Sequence, residues 1–444
     1  MLPQPPNKKR YSQQEKGLRI FCRLFVARRA ALKFSVVIPT HDRLNLLRDA
    51  VETVLKQDYS KWELVIFDNA STDDIAGYVN NISDQRIRYQ RSNDFLPVTD
   101  SWNRAVNLAN GDYVTVLGDD DGLTPGYFSK LSRIIVGFGS PDVLYSAIYQ
   151  FWHPGVAPWE RSGFVADVKN GFFFVGRKTP FLLSAKEASK AVRGSIRLRR
   201  NFTFNQQAFC IRRDFLQRLR KQGAVFRAPF PDYYFANIAF AKARAIVVIP
   251  EPLSIAGVSK ASFGYMLFNE LEEKGAELLH TKLASDPLYS EVEKFLLPGP
   301  LYNTKYVITM EHVSRYLRDY LPCGVAFGKY RRLQIFRVLS ANRGRIGRTT
   351  PIGGLLWSRL DFFEKLWALA LSRIIRVSIL VGIYENLVRR ALGYLLGPYA
   401  YRHPKLIIST GRYTQLMQLF TDLQSGICAP AAPQGRRWLK LRQR

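Results

Sequence analysis

Short apolar runs alternate with segments of helical periodicity over the first 120 residues. Three runs rich in Val, Ile and Phe each predict a buried strand; they are residues 34–40, 63–67 and 113–117. Between them, apolar residues recur at helical spacing in the segments 44–57, 73–82 and 99–110. Strands that alternate with helices are typical of a parallel, doubly wound sheet with helices on both faces. The pattern therefore predicts an α/β fold for this part of the chain.

Each predicted strand leads directly into polar residues. Thr40 ends the first run, Asp68 follows the second, and the carboxylates Asp119, Asp120 and Asp121 follow the third. Right-handed crossovers bring the carboxyl ends of parallel strands to one edge of the sheet, so these side chains should line one crevice. Adjacent carboxylates repel each other, whereas Mg²⁺ and Mn²⁺ prefer oxygen ligands and bridge carboxylates to phosphates. The cluster predicts a metal and phosphate site, with an acidic surface turn as the alternative.

The order and spacing of four motifs resemble the family 2 glycosyltransferases of the GT-A fold. The motifs are Ser35-Val-Val-Ile-Pro-Thr40, Asp68-Asn-Ala-Ser-Thr-Asp73, the Asn-rich helix 101–111 and the Asp cluster 119–121. The resemblance covers about 34–260. It implies a Rossmann-like, doubly wound, mostly parallel sheet that binds a nucleotide-sugar donor, and it leaves the donor sugar and the acceptor open.

The resemblance also implies which residues contact the donor nucleotide. They lie at the ends of the first strands, on the Asn-rich helix and in the Asp cluster. The set is Pro39, Thr40, Arg43, Asp68, Asn103, Arg104 and Asp119. Within it, Pro39 and Thr40 would border the nucleobase, and Asp68 would accept a hydrogen bond from a uracil or thymine imide.

The Asp cluster departs from the common family pattern Leu-Asp-x-Asp-Asp-x-Leu. Aligning Leu117 and Leu123 places Gly118 where the first Asp usually stands, and makes Asp120 the metal-binding final Asp. Alternatively, residues 119–121 are themselves the Asp-x-Asp motif, shifted by one position. In both registers we expect Asp120 to be a metal ligand with Asp121 beside it, and a divalent cation, Mn²⁺ or Mg²⁺, to be the cofactor.

Asp232 is the best candidate for the general base that activates the acceptor hydroxyl. It follows two prolines at a predicted helix start, ahead of a strand at 245–249 and a Pro-Leu segment. This order resembles the family's block of acidic residue, helix, strand and Pro-Leu, in which the acidic residue is the usual base. The competing interpretation is a helix N-cap, since Asp is a favoured capping residue. The loop 257–264 is expected near the donor phosphates, with Ser259 or Lys260 in contact with them.

A net charge of +29 is concentrated in the two terminal segments and in residues 187–221 and 328–348. Basic segments of this kind bind anionic membrane surfaces or nucleic acid. Residues 17–32 interleave Arg with aliphatic and aromatic residues. That pattern is interfacial, and it favours an anionic membrane surface over nucleic acid as the partner. The alternatives are an organelle-targeting segment and a basic protein from a proteome of high pI.

Residues 361–400 are the other membrane candidate. They are strongly apolar, but Arg373 and Arg376 interrupt the run, and the apolar stretch without them is too short to span a bilayer. An amphipathic helix is therefore predicted, either on the membrane surface or packed on the catalytic domain. Four dispersed cysteines without a CxxC pair argue against both a disulfide framework and a zinc site.

Together these patterns predict four segments and one activity. The segments are a basic amphipathic extension at 1–33, a GT-A catalytic domain at 34–265, a helical region at 266–425 and a basic flexible tail at 426–444. The expected activity is metal-dependent, inverting transfer of a sugar from a UDP- or dTDP-linked donor to a glycan or lipid-linked acceptor. It would serve cell-envelope or exopolysaccharide synthesis in the cytoplasm, at the inner face of the membrane. The alternatives are a sugar-phosphate nucleotidyltransferase and a non-catalytic basic protein that binds membrane or nucleic acid.

Overall fold

A computed structural model describes residues 31–426 except for 158–159, 169–171, 175, 270, 279–281, 347–350, 397–405 and 411–412. Most of the predicted basic extension and nearly all of the predicted tail lie outside these residues. The strands are β1 Phe34–Thr40, β2 Trp62–Asp68, β3 Ile87–Arg91, β4 Tyr113–Val116, β5 Gly122–Leu123, β6 Val143–Trp152, β7 Phe164–Val168, β8 Phe181–Leu183, β9 Phe209–Arg212, β10 Ile246–Val258 and β11 Leu406–Thr410.

The helices alternate with these strands in the first half of the chain and dominate the second half. They are α1 Leu44–Leu55, α2 Ile75–Ile82, α3 Val98–Asn107, α4 Tyr127–Gly137, α5 Ala185–Ile196, α6 Arg213–Arg220, α7 Pro231–Lys242, α8 Phe263–Phe268, α9 Glu272–Leu278, α10 Tyr289–Val292, α11 Leu301–Tyr316, α12 Phe327–Ala341, α13 Pro351–Ser358, α14 Phe362–Leu380, α15 Arg389–Leu396 and α16 Leu416–Gln424. The predicted fold class, an α/β domain with a mainly helical C-terminal region, is confirmed.

The N-terminal half of the sheet is parallel, in the order β3-β2-β1-β4. Alternate residues of β1 enter two separate cores, with Val36 and Ile38 on one face and Val37 on the other. Helices therefore cover both faces, as expected for a doubly wound sheet. In this register Thr40 lies opposite Asp68, and Asp68 lies opposite Arg91, so three strand ends meet at one edge.

Strand β3 was missed by the sequence analysis, which expected only three strands before residue 120. Its sequence, Ile-Arg-Tyr-Gln-Arg, lacks an apolar run. β3 lies at the end of the sheet, and among the described strands it pairs with β2 alone. Such edge strands tolerate charged side chains that a buried strand excludes. This strand is important for the site because β3 supplies Tyr89 and Arg91 to the polar edge.

The second half of the sheet is mixed, and a single long strand returns to the polar edge. β9 pairs antiparallel with β4 and β6, while β10 runs parallel to β6 over its whole length. The predicted strand at 245–249 is the first part of β10. The strand continues to Val258 through register shifts around Pro252, because proline lacks the N–H that a regular ladder needs.

Most of the helical region is divided between two cores, and α16 packs in a third through Leu416 and Leu419. Tyr306, Val307 and Met310 of α11 belong to the same cluster as the aromatic side chains of the catalytic domain. Helices α12 to α15 pack around a separate cluster that includes Phe336, Leu371 and Ile375. No helix in the described part of the chain is long and apolar enough to cross a membrane.

Candidate active site

The end of β1 is tied directly to the Asp cluster. The Thr40 hydroxyl donates to Asp119 Oδ2 at 2.9 Å, and Arg43 Nη1 donates to Asp119 Oδ1 at 3.1 Å. The other terminal nitrogen of Arg43 donates to the carbonyl of Ala261 at 2.6 Å. The neighbouring Asp119 carboxylate, with smaller contributions from Asp120 and Asp121, raises the pKa of Arg43 despite its burial. A fixed positive charge therefore stands beside the three carboxylates.

Asp68 lies at the end of β2, where it is fully buried and saturated with hydrogen bonds. It accepts from the Ser71 backbone N–H at 2.8 Å, from the Tyr89 hydroxyl at 2.6 Å and from Arg91 at 2.8 Å. Burial alone would raise the pKa of this carboxyl, but these hydrogen bonds and the Arg91 charge outweigh burial and lower it. Asp68 is therefore an anion that holds Tyr89 and Arg91 in place.

The remaining polar residues of the first two strand ends fasten the loops to each other. Asp42 accepts from the backbone and hydroxyl of Thr72, and Asp73 accepts from the backbone of Leu44. The Asn69 side chain makes two hydrogen bonds with the backbone of Leu96. The motif 68–73 thus builds the rim of the crevice.

A cavity of about 430 Å³ opens beside Asp68, between the end of β3 and helix α3. Its lining includes Phe67 and Leu96 together with two arginines, Arg91 and Arg104. Arg104, which was predicted to contact the nucleotide, therefore shares the cavity with an arginine that the sequence analysis missed. The lining also contains Asp94 and several uncharged polar side chains, and Arg91 is paired with Asp68, so the cavity is polar and carries both signs of charge.

Asn103, by contrast, is engaged entirely within the protein. Its side-chain nitrogen donates to the carbonyls of Thr99 and Phe226, both at 2.8 Å, and its oxygen accepts from the N–H groups of Val225 and Phe226 at 3.1 Å. These bonds use every donor and acceptor site of an amide side chain. Asn103 therefore fixes the loop before α7. Its contact with the nucleotide of the sugar donor stays a prediction.

The three carboxylates of the cluster have different surroundings. Asp119 is buried against Thr40 and Arg43, as described above. Asp121 is also buried, and it accepts from the N–H groups of Gly118 and Gly257 and from the Gln207 side chain, at 2.8, 2.9 and 3.3 Å. A Cβ at Gly118 would lie 2.7 Å from Asp121 Oδ2, so a larger residue there would displace the Asp121 carboxylate from its present position. These three bonds leave one of the roughly four lone-pair sites of the carboxylate, and a metal-ligand role for Asp121 stays a prediction.

Asp120 is the partly exposed member of the cluster. Its carboxylate accepts one side-chain hydrogen bond, from the Ser259 hydroxyl at 3.0 Å. Burial, followed by the Asp119 charge, raises the pKa of Asp120 to about 6. The end of β10 closes over this residue, because a Cβ at Gly257 would lie 1.6 Å from the Asp120 carbonyl oxygen. Ser259 thus reaches the cluster from the loop that was expected near the donor phosphates.

The chemistry of these residues fits a divalent cation held jointly with a phosphorylated ligand. No group of three or more His, Cys, Asp or Glu side chains among the described residues is arranged to hold a metal ion. Mg²⁺ sites of the substrate-assisted kind need only one or two carboxylates, because phosphate oxygens and water complete the coordination. Asp120 meets that requirement, since this residue is only partly buried at the sheet edge and its carboxylate accepts one side-chain hydrogen bond, from Ser259.

Asp232 lies in the first turn of α7, but it is not the N-cap. That position is occupied by Phe230, and Pro231 is the first helical residue, so the N-cap alternative was wrong. Burial raises the pKa of Asp232 to about 7, against an opposing effect of the Arg200 charge. Arg200 is buried and donates to the Tyr233 hydroxyl at 3.1 Å.

The structure connects these predicted site residues to different degrees. Hydrogen bonds link Thr40, Arg43 and Asp119 directly, and strand register places Asp68 beside Thr40 and Pro39 beside Phe67. Asp232 is linked indirectly, because Phe230 packs against Phe263, which follows the Ser259 loop, with ring centroids 5.6 Å apart. The residues that sequence reasoning missed are Tyr89 and Arg91. The sequence signal that could have identified them is the polar end of β3, the edge strand that pairs with β2 at Asp68.

Comparisons with known proteins agree with the motifs. The family model described as glycosyl transferase family 2 matches residues 35–217. A GalNAc(5)-diNAcBac-PP-undecaprenol beta-1,3-glucosyltransferase of Campylobacter jejuni is 34% identical over 104 residues, which is 23% of this chain and 34% of that protein. WfaP of Escherichia coli, a UDP-Glc:alpha-D-GlcNAc-diphosphoundecaprenol beta-1,3-glucosyltransferase, is 32% identical over 87 residues, which is 20% of this chain and 35% of that protein.

These matches span only about a third of the length of each relative. Among solved structures, S. aureus TarS 1–349 in complex with UDP-GlcNAc aligns with 79% of this chain and 92% of that one, at 14% identity and a TM-score of 0.43. The agreement between the family match and the strand-end motifs favours the glycosyltransferase hypothesis over the nucleotidyltransferase alternative. Over residues 35–217, the chain is similar to glycosyl transferase family 2.

Proposed function

We propose that this protein transfers a sugar from a nucleoside diphosphate sugar, UDP- or dTDP-linked, to a glycan or lipid-linked acceptor, with inversion at the anomeric carbon. The observation that carries the proposal is the contrast within the Asp cluster. Asp119 and Asp121 are buried and fixed by internal hydrogen bonds, whereas Asp120 is partly exposed at the carboxyl edge of the parallel strands. Ligands of open α/β sheets bind at that edge.

The donor nucleotide would lie across the ends of β1, β2 and β3. Pro39 and Thr40 would border the base, and the two arginines of the cavity, Arg91 and Arg104, would add positive charge beside Asp68. Asp120 would hold a divalent cation together with the diphosphate, and that cation would stabilise the negative charge of the departing diphosphate as a Lewis acid. Arg43 remains paired with Asp119, which limits the repulsion among the three carboxylates.

Asp232 would act as the general base for the acceptor. A hydroxyl is a weak nucleophile, and a carboxylate within hydrogen-bond reach can take its proton as the new bond forms. In this step the acceptor oxygen bonds to the anomeric carbon, and the bond from that carbon to the diphosphate oxygen breaks. The electron pair leaves with the diphosphate, and the acceptor proton moves to Asp232. Attack from the side opposite the leaving group inverts the anomeric configuration.

A lipid-linked acceptor in cell-envelope or exopolysaccharide synthesis is supported by the relatives. The C. jejuni and E. coli proteins are both named as glucosyltransferases that act on diphosphoundecaprenol-linked sugars. An acceptor of that class is anchored in a bilayer, so we place this protein in the cytoplasm, at the inner face of the membrane.

The proposal is tested by measuring thermal stabilisation with a panel of nucleoside diphosphates, with and without Mn²⁺. We expect UDP or dTDP to raise the unfolding temperature only when Mn²⁺ is present, and Asp120→Ala to abolish that rise. Glu251→Gln is the matched control, because Glu251 is an exposed carboxylate that pairs with Lys130 on another part of the surface. Equal stabilisation of the Asp120→Ala protein, or none of wild type by any nucleotide, would contradict the proposal.

A further inference from the structure

Helix α14 has two apolar faces, of which only one is covered by protein. Its inner face, formed by Ala368, Leu371 and Ile375, is buried in the cluster around α12. Its outer face should be polar if it faced water alone. Instead it carries large apolar side chains with high solvent exposure: Phe362 68%, Phe363 79%, Leu366 50%, Leu369 46%, Ile374 52%, Val377 59% and Leu380 84%.

The neighbouring segments repeat this pattern. Ile352 and Leu355 on α13, and Tyr394 and Leu395 on α15, are also about half exposed, and Leu387 in the turn before α15 is 62% exposed. These helices pack around the same cluster as α14. Single exposed apolar residues are normal on soluble proteins, but a concentration of them marks an interaction surface.

The charges in this region are predominantly positive. Residues 351–396 contain six basic and three acidic side chains. Two of the acidic groups are paired within the protein, Glu364 with Arg331 and Glu385 with Arg389. Arg373 is exposed among the apolar side chains of the outer face, and Arg376 lies at its edge, where it donates to the carbonyl of Gly344.

We propose that the outer face of α14 docks on an anionic lipid surface, with the helix lying parallel to the membrane plane. The helix is 19 residues long, or roughly 28 Å at 1.5 Å per residue, which gives an extended line of contact. The apolar side chains would enter the boundary between headgroups and acyl chains, and Arg373 would extend its charged end to the phosphates. This arrangement accounts for both the exposed apolar side chains of the face and the arginine that lies among them.

A lipid surface fits this face better than a second protein does. The centre of a protein interface is depleted of charged residues, because each buried charge requires a partner. On α14 an arginine lies at the centre of the face, among Leu366, Leu369 and Val377, and the described part of the face offers no acidic residue to a symmetric copy. Anionic headgroups supply the missing negative charge without a specific partner.

The inference deepens the proposed function, since docking at the bilayer would bring the catalytic domain to a lipid-linked acceptor. It is tested by sedimentation of the full-length protein with vesicles of phosphatidylcholine alone, or of phosphatidylcholine mixed with phosphatidylglycerol. Replacement of Phe363, Leu366 and Leu380 by Ser should weaken binding to the anionic vesicles by roughly tenfold or more, because each exposed apolar group loses its transfer into the interface. Leu182→Ser, at an exposed apolar residue on β8, is the matched control and should bind like wild type.

The dependence of vesicle binding on salt concentration and on the Arg373 charge provides a second test. Arg373→Glu should also weaken binding to anionic vesicles, and high salt should release part of the wild-type protein but not all of it, since salt screens the charge and not the apolar term. Wild-type binding by the triple variant would overturn the inference, as would a wild-type protein that ignores anionic vesicles. A concentration-dependent dimer that the triple variant abolishes would assign the face to a second copy. Mn²⁺-dependent nucleotide binding, measured on the same proteins, tests the proposed function separately.

Discussion

The polar edge of the sheet and the outer face of α14 leave opposite kinds of groups uncovered. At the edge, Asp68, Asn69 and Asp121 each accept or donate several hydrogen bonds, and Asp120 is the carboxylate that stays partly exposed. On α14, the polar residues at the helix start are paired, and apolar side chains are exposed instead. At the sheet edge, Asp120 is less enclosed by hydrogen bonds than its neighbours. On α14, the outer face is apolar where a helix surface facing water is normally polar. We therefore infer a reactive site from the partly buried Asp120 and a docking surface from the exposed apolar side chains of α14.

The largest effect is expected at Asp232, the proposed base in the first turn of α7. Asp232→Asn keeps the shape of the side chain but removes its basicity, so sugar transfer should fall by about 10²–10⁴-fold. Donor binding should be unchanged, because Asp232 is assigned to the acceptor. Steady-state transfer rates and nucleotide affinity measured on one preparation check this prediction, and transfer within a few-fold of wild type would exclude Asp232 as the base.

The same carboxyl predicts a pH dependence. A base acts when deprotonated, so wild-type transfer should increase with pH through about 7, the raised pKa of Asp232. The stability effect has the opposite sign. Since folding raises this pKa from 3.8, the folded state binds the proton more tightly, and the resulting stabilisation is lost as pH rises towards and through about 7. The Asn variant should therefore lose less stability than wild type between pH 5 and pH 8.

Asp120 and Asp121 give the sharpest test within the cluster, because they are neighbours with different surroundings. Asp120→Asn should fold normally and lower transfer by about 10²–10³-fold, the usual size of a lost electrostatic contribution at a developing charge. Asp121→Ala should instead lower the free energy of unfolding, by about 1–3 kcal/mol, since it removes an acceptor from three buried donors. Urea unfolding together with transfer rates would separate the two outcomes. A stable Asp121→Ala protein that has lost Mn²⁺ binding would make Asp121 the principal metal ligand.

The two faces of α14 should differ in the same way when stability is measured. Leu371 is buried, so Leu371→Ala should cost about 2–5 kcal/mol in unfolding free energy. Ile374, three residues later, is 52% exposed, so Ile374→Ser should change stability by less than about 0.5 kcal/mol. Chemical denaturation of the two variants checks the contrast. A large loss at Ile374 would mean that protein already covers the outer face.

The sequence predicted the parallel strands β1, β2 and β4 well, because each combines an apolar run with polar residues at its end, but it missed the parallel strand β3, which has no apolar run. The sequence could not reveal which hydrogen bonds the polar side chains make once the strands assemble. Apart from the Gly118 N–H, which binds Asp121 from three residues away, the difference between Asp120 and Asp121 arises from Gly257 and Gln207, which lie more than eighty residues away in the chain. The same holds for Arg91, whose importance depends on its register with Asp68. For α14, the apolar composition was visible, but which face was covered depended on the packing of α12.

The smallest expected effect separates two adjacent residues of α3 that the resemblance treated alike. Arg104 is exposed and lines the cavity beside Arg91, so Arg104→Ala should weaken nucleotide affinity by about tenfold, the size of one charge-assisted hydrogen bond, with little change in stability. Asn103→Ala should do the reverse, because it removes three hydrogen bonds that hold the loop at Val225 and Phe226, and a fourth to Thr99 in its own helix. Calorimetric titration with UDP and thermal unfolding of both variants provide the comparison. If Asn103→Ala weakens nucleotide binding without lowering stability, the nucleoside contact predicted from the family pattern is the stronger account of that residue.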